Sequence, residues 1–428
     1  NKKNKIPIEL ARKVKNKVVI PEKFSWKDVP INVYINGVGE FSTDLDVEKY
    51  RPTGKTYYVN KNGSDSNNGL TEKTAFSTVH KARDMSDVVE IIIGGGVYQD
   101  SQAFNNNGTG VSGYKNLSII GKEGEDVFLT TRRITHFTSV SGRTNVFKTT
   151  RSLVASVWDV KNKDSDGDYN KIEQVNTLDE CEQNAGSYYT DGSVLYVHRV
   201  DGLKPDGENT AVFLDVENFY NSGDHVTYLE NIHFEGGNDG CVKVYDNTGN
   251  AKLYAKNCTF KYSKNGNGGL NVQGVDTITE DCIASCNMKD GFNYHYVKPY
   301  RQNVIEINGV GRNNGFDGSN QNNGSTSHDG IKIIRVNGKY HNNQGPNCHD
   351  VSVDSESWNL GCESFKSRAT NADRRTNYQI EGGTMFLDGC VGYESHKAIV
   401  VSSTGTMYKR KTLFDDGIKY ITGVLEDY

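Results

Sequence analysis

The chain has 428 residues, only 35% of them apolar, and carries 49 Lys and Arg against 54 Asp and Glu for a net charge of −5. That balance offers no basic field to a nucleic acid, and no run approaches the roughly 18 apolar residues that a membrane span needs. With 45 Gly, 24 Tyr and only 7 Pro, the composition fits narrow apolar rows separated by many turns, the habit of all-β proteins.

Residues 1–55 read as an N-terminal arm or attachment segment. In "IELARKVKNKVV" Leu10, Val14 and Val18 fall on one helical face among Arg12, Lys13, Lys15 and Lys17. This predicts a short amphipathic helix, with a solvated Lys-rich arm as the bland alternative. No signal-peptide core opens the chain, so an exported form would have lost its signal or used another route. From Tyr57 the stretch "YYVNKNGSDSNNGLTEKTAFSTVHKARDMSDVVEIIIGGGVYQD" reads as strand, Gly/Asn/Asp/Ser loop, short helix, buried strand and glycine turn. Val79, Ala82 and Met85 recur at a spacing of three, a stripe suited to covering the open end of a β-structure.

The order "YYV…G.D…NG…AF.T…A…GGVY" resembles the N-terminal cap of right-handed parallel β-helix proteins, the pectate-lyase-like enzymes and phage tail-spike depolymerases. The likeness is confined to this cap and bears on fold more than on function. The second half supports it independently. "ENIHFEGGNDGCVKV", "KNCTFKYSKNGNGGLNV", "EDCIASCNMKDGFNYHY", "RVNGKYHNNQGPNCHDVSV" and "LDGCVGYESHKAIVV" align with one another. Their period, roughly 21 to roughly 29 residues, is the kind that marks a solenoid whose coils cover one another's apolar rows. Each unit holds a short strand, an Asn/Gly turn and a second strand. Alternation puts Phe292, Tyr294 and Tyr296 inside and Asn293 and His295 outside. The fold expected is therefore an all-β, right-handed parallel β-helix over 56–405 with a capping helix, followed by a C-terminal cap or tail at 406–428.

Between about 150 and 215 the repeat blurs. "SYYTDGSVLYVHRVDG" predicts a hairpin turning at Asp191-Gly192, with Tyr188, Tyr189 and Tyr196 on its arms, as an insertion projecting from the coils. In "DSDGDYNKIE" Asp164, Asp166 and Asp168 alternate as oxygen ligands of Ca²⁺ do, but the Gly at the sixth position and the acid at the twelfth are missing. A solvated acidic turn is the simpler reading, Ca²⁺ the one cofactor suggested, and none is required. Eight cysteines would pair neatly in a secreted protein. Yet Cys258, Cys282, Cys362 and Cys390 sit at matching repeat positions, which points to a stacked row of free thiols.

The pair His328-Asp329 recurs as His349-Asp350. A coil of roughly 22 residues, an ordinary solenoid period, would stack the two pairs in nearly the same register, with Asp290-Gly291 one coil earlier. Close carboxylates raise one another's pKa, the condition for a general acid or base. Asp290, His295, Asp317, His328, Asp329, His349 and Asp350 are thus the candidate catalytic set, although His-Asp and Asp-Gly are also ordinary turn residues, and Asp239-Gly240 repeats the pattern. "GFDGSNQNNGSTSHD" resembles, with an insertion and without the proline, the G-F-D-P-H-D segment of alginate C5-epimerases and related lyases. That likeness implies roles for Asp317, His328 and Asp329, and for a neutralising cation, Arg312 or Lys332.

The function expected is degradation of a polysaccharide, by elimination or by hydrolysis with two carboxylates, in an extracellular protein, secreted or virion-associated. Tyr188, Tyr189, Tyr196, Arg312 and Lys332 are candidate substrate contacts. The alternative is a spike or adhesin that binds a glycan without chemistry, and the chain would be a monomer or, as tail spikes commonly are, a homotrimer.

Overall fold

The computed structural model describes residues 7–99, 115–133, 135–415 and 417–428. The chain winds a right-handed solenoid of about 12 turns, whose coils stack three strands into three parallel faces. The first face runs through Phe219–Ser222, Val242–Tyr245, Gly268–Gln273, Asp290–His295, Ser325–His328 and Cys348–Val351, then the leading half of Thr376–Asp388. The second begins at Lys55–Val59 and continues through Val226–Glu230 and Asn303–Ile307 to Val424–Asp427. The third is built of strands such as Thr259–Lys261, Ile283–Ser285 and Val310–Arg312.

Two features of the sequence set the corners. Asn231, Asn257, Asp281, Asn308 and Asn337 all turn from the second face to the third with φ between 50° and 55°, a left-handed conformation that Asn and Asp tolerate best after glycine. Asn257 donates to Asn231 (2.8 Å) and Asn308 to Asp281 (2.8 Å), so the corner is also a ladder of amide bonds. Cysteines follow the corner residues at 258, 282, 362 and 390 and turn inward, and all eight cysteines of the chain are buried and unpaired. Further round, buried Asn287, Asn314, Asn343 and Asn347 form a second ladder with bonds of 2.9–3.0 Å. Between the corners the core is the expected alternation: Val242, Leu270 and Phe292 stack inside the first face, with Tyr294 beside them.

The helix Val79–Arg83 is capped by the Thr78 hydroxyl, and Val79 and Ala82 are wholly buried at the end of the stack. The N-terminal segment behaves differently from a free arm. Its helix, Ile8–Lys13, stops short of Val14 and buries nothing. Apolar burial comes later, where Phe24, Trp26, Ile31, Val33 and Phe41 pack on Ile305, Ile334, Trp358 and Phe386, the outward residues of the second face. Phe24 meets Trp358 and Phe386 at 6.2 and 6.1 Å.

The insertion starts earlier than the sequence suggests. Strands from Arg132–Arg133 to Thr210–Leu214 form an eight-stranded, largely antiparallel sheet with its own core of Val157, Ile172, Tyr188, Leu195, Val197 and Val212. The predicted hairpin pairs Ser187–Thr190 with Val194–His198. Past residue 405 the chain keeps coiling, with Val424–Asp427 paired to the stretch 406–409.

Candidate functional site

Strand parity fixes what the first face shows to solvent. Asn271, Asn293, Thr326, His349 and Gln379 are register neighbours in one outward row. The next outward position in each strand supplies Gln273, His295, His328 and Val351. His349 therefore sits beside Thr326, and His328 beside Val351. The two His-Asp pairs are out of step, because the coil that separates their strands is longer than the spacing of the pairs in sequence. Both imidazoles still face outward, but the two carboxylates do not share a fate. Asp329 lies past its strand end in a left-handed turn, φ 58°, and is half exposed. Asp350 lies within its strand and points into the solenoid, where it pairs with fully buried Arg335 at 3.0 Å and accepts the Ser327 hydroxyl at 2.7 Å. Asp350 is thus a core residue and leaves the set that can touch a substrate.

Asp290, at the foot of the first row, is 5% exposed. It accepts the Asn323 N–H (2.7 Å), the Thr326 hydroxyl (2.7 Å) and the Asn293 amide (2.5 Å). Burial outweighs these donors and lifts its carboxyl to about 6, as desolvation of the charged form requires. On the same face stand buried polar atoms with no partner among the described residues: Asn293 Oδ1, Asn323 Oδ1 and Gln379 Oε1. Buried polar groups are seldom left unsatisfied, and these three lie on one face of the solenoid. Asp239 joins the row from the other side, taking the Asn271 amide at 3.0 Å and an ion pair from Lys243.

Along the second row, His295 and His328 stack face to face at 3.9 Å with 13° between their planes. His295 Nδ1 is 4.0 Å from Asp329 Oδ2. Burial pushes both imidazoles down, His328 to about 3, with the neighbouring His295 and His349 adding to its shift. His349 Nε2 lies 3.1 Å from Glu381 Oε1, an ion-pair distance without a well-directed hydrogen bond. Arg374 and Gln379 reach the same oxygen at 3.2 Å. His349 and Arg374 together hold Glu381 down to about 2. Here the face opens into a cleft of about 530 Å³ lined by Arg374, Gln379, Glu381, Lys397, Ser402 and Tyr420.

The other sequence candidates lie elsewhere. Asp317 caps a turn and is held by Lys289 (2.5 Å) and Asn322 (2.5 Å), away from the imidazoles. Arg312 projects from the third face and clasps Asp168 of the insertion (Nε–Oδ2 3.0 Å). Asp168, wholly buried, also takes Lys261 at 2.6 Å. Two cations already occupy the carboxylate that would have been a calcium ligand. Asp164 binds the backbone N–H groups of Asp166 and Asp168 instead, so Asp164, Asp166 and Asp168 form a clasp between the insertion and the coils. Lys332 stands on the second face between Asn303 and Glu356. Tyr188 is buried in the insertion with its hydroxyl on Gln174 (3.2 Å), and Tyr189 and Tyr196 stack on each other at 5.7 Å in the same sheet. Sequence reasoning does not single out Asp239, Asn323, Gln379, Glu381, Arg374 or Lys397 as site residues. An outward polar residue carries no periodic signal of its own.

No protein-family model and no curated protein matches the chain. Solved structures do. One described as a glycoside hydrolase is 12% identical over 87% of this chain and 96% of its own, with a TM-score of 0.54. Pectate lyase Pel9A is 13% identical over 87% and 78%, with a TM-score of 0.40. The tailspike protein gp49 from Pseudomonas phage LKA1 is 10% identical over 79% and 69%, with a TM-score of 0.25. The first likeness establishes a shared parallel β-helix architecture, as the cap sequence led one to expect, and assigns no residue a role.

Proposed function

We propose that the protein degrades a polysaccharide laid along the first face, by hydrolysis, with Asp290 as the proton donor. The observation that carries this reading is the set of buried, unpartnered Asn and Gln atoms on the face that holds a carboxyl lifted to about 6. Planar amides and imidazoles match the hydroxyls of a sugar chain, and a carboxyl with that pKa holds a proton under mildly acidic conditions yet releases it readily. Asp239 is the partner carboxylate. It reaches Asp290 through adjacent Asn271 and Asn293, two rungs of about 4.8 Å each, a separation of the order used by inverting glycosidases. Asp290 gives its proton to the bridging oxygen as the C1–O bond breaks. A water that loses a proton to Asp239 adds at C1, leaving a new reducing end. Polymers of this kind lie outside cells, so the protein acts there, secreted or carried on a virion.

Arg374 and Lys397 in the adjoining cleft favour a second reading, β-elimination on a uronate, whose carboxylate those cations would neutralise. The test incubates the protein with capsular polysaccharides, alginate and pectin, following new reducing ends and the ultraviolet absorbance of unsaturated uronates. Reducing ends without absorbance, abolished in Asp290→Asn, support hydrolysis. Absorbance rising with reducing ends selects elimination. Binding with neither signal would overturn both in favour of an adhesin.

A further inference from the structure

The second row of the first face holds a group that the glycan reading does not use. We infer that His295, His328 and Asp329 form a binding site for one divalent transition-metal ion of the zinc class. One ligand atom from each lies within 4.8 Å of the other two, the sole such triad among the described residues. Two imidazoles and a carboxylate are a donor set that first-row metals favour, and three protein ligands leave further positions open.

The local structure is built for this rather than merely compatible with it. His295 and His328 come from successive coils at the same outward position, so the strand spacing itself sets their rings 3.9 Å apart. Nitrogens bound to one tetrahedral zinc at about 2.0–2.1 Å are about 3.4 Å apart, so on binding the two rings, now nearly parallel, would tilt to bring both in-plane lone pairs onto one ion from ligand atoms that start within 4.8 Å of one another. Asp329 is the next residue after His328, and its left-handed φ of 58° turns its carboxylate back toward His295 Nδ1. Both rings are half-buried and make no side-chain hydrogen bond among the described residues, so their nitrogens are not already committed to another group. Nearby charges are balanced: His349 and Glu381 lie on the following coils, and Arg301 rests against Gly330 while pairing with Asp354 at 3.4 Å.

The site can be tested without any sugar, so its failure and that of the glycan reading are separable. Untagged protein stripped with a chelator and titrated with Zn²⁺ by calorimetry should bind one equivalent per chain. With Co²⁺ it should give visible d–d bands typical of nitrogen and oxygen ligands. Zn²⁺ should raise the thermal midpoint of the stripped protein. His328→Ala and His295→Ala should each weaken binding at least about tenfold and remove the Co²⁺ bands. Asp329→Asn, which keeps a residue suited to the turn, guards against loss through misfolding and should weaken binding with an unchanged circular dichroism spectrum. No saturable Zn²⁺ or Co²⁺ binding to the folded protein, or binding unchanged in all three variants, would overturn the assignment.

Discussion

Replacing Arg335 by Met tests whether the core carries a paired charge. Arg335 is wholly buried and holds Asp350 (3.0 Å), Ser325 (2.9 Å) and Asn359 (3.2 Å), with Glu306 its register neighbour on the preceding coil. Without the guanidinium, Asp350 keeps only the Ser327 hydroxyl, and its Oδ2 already lacks a partner. Stranding one member of a buried pair costs about 3–5 kcal/mol. An unfolding entropy of about 2.1 cal/mol/K per residue over 428 residues gives roughly 0.9 kcal/mol/K, so the thermal midpoint should fall by roughly 4 K. The double variant Arg335→Met/Asp350→Val removes both charges and should recover most of that loss, because apolar replacement of a buried pair is near neutral. Scanning calorimetry decides. A single variant as stable as wild type to within about 0.5 kcal/mol, the spread of ordinary surface substitutions, or a double variant no better than the single, would refute the argument. The same double variant should keep its activity per folded molecule on any glycan the protein cleaves, since Asp350 faces inward.

Asp290 also has a pH signature. Its folded pKa, about 6, lies above the ordinary value of 3.8, so the native state binds the extra proton. The stabilisation is full below about pH 4 and is lost as pH rises through 6, by roughly 3 kcal/mol. Denaturant titrations at pH 4 and 7 should show that loss in wild type and not in Asp290→Asn. The eight buried thiols, five of which burial pushes well above the usual range, should ignore Ellman's reagent in the native protein and react fully in denaturant. Mass spectrometry finding disulfides would contradict this. Phe24→Ala should cost about 3–5 kcal/mol of docking energy, read as protease cleavage within the segment 7–50 while the coils stay intact.

The coil is legible in the sequence because corners and rows leave distinct traces. Asn and Asp at the left-handed corner and cysteines just after it recur at matching places, and Val79 with Ala82 announces the cap. Register is less legible. The pairs at 328 and 349 look identical in sequence, yet one aspartate falls past a strand end and the other inside a strand. The turns between those strands, at 329–331 and 342–347, decide this, and turns of that kind vary from coil to coil. His295 and His328 stand out because they are chemically conspicuous. Gln379 and Glu381 do not, since depth and neighbours, rather than spacing, give them their character. Arg312 and the aspartates of the insertion mislead for a related reason. Each carries a plausible role alone, and only the docking of the insertion on the third face reveals that they satisfy each other.

The N-terminal segment has a temporal consequence. Its apolar residues rest on strands drawn from Asp276–Glu280 through Lys397–Arg410, which a ribosome produces long after it has finished the segment itself. A stack of coils with only neighbour contacts can melt or nucleate piecemeal. A brace crossing many of them ties those rungs into one cooperative block. Until those later rungs have been made, Phe24 and Trp26 wait uncovered, so this segment stays sticky until the strands that cover it have been synthesised.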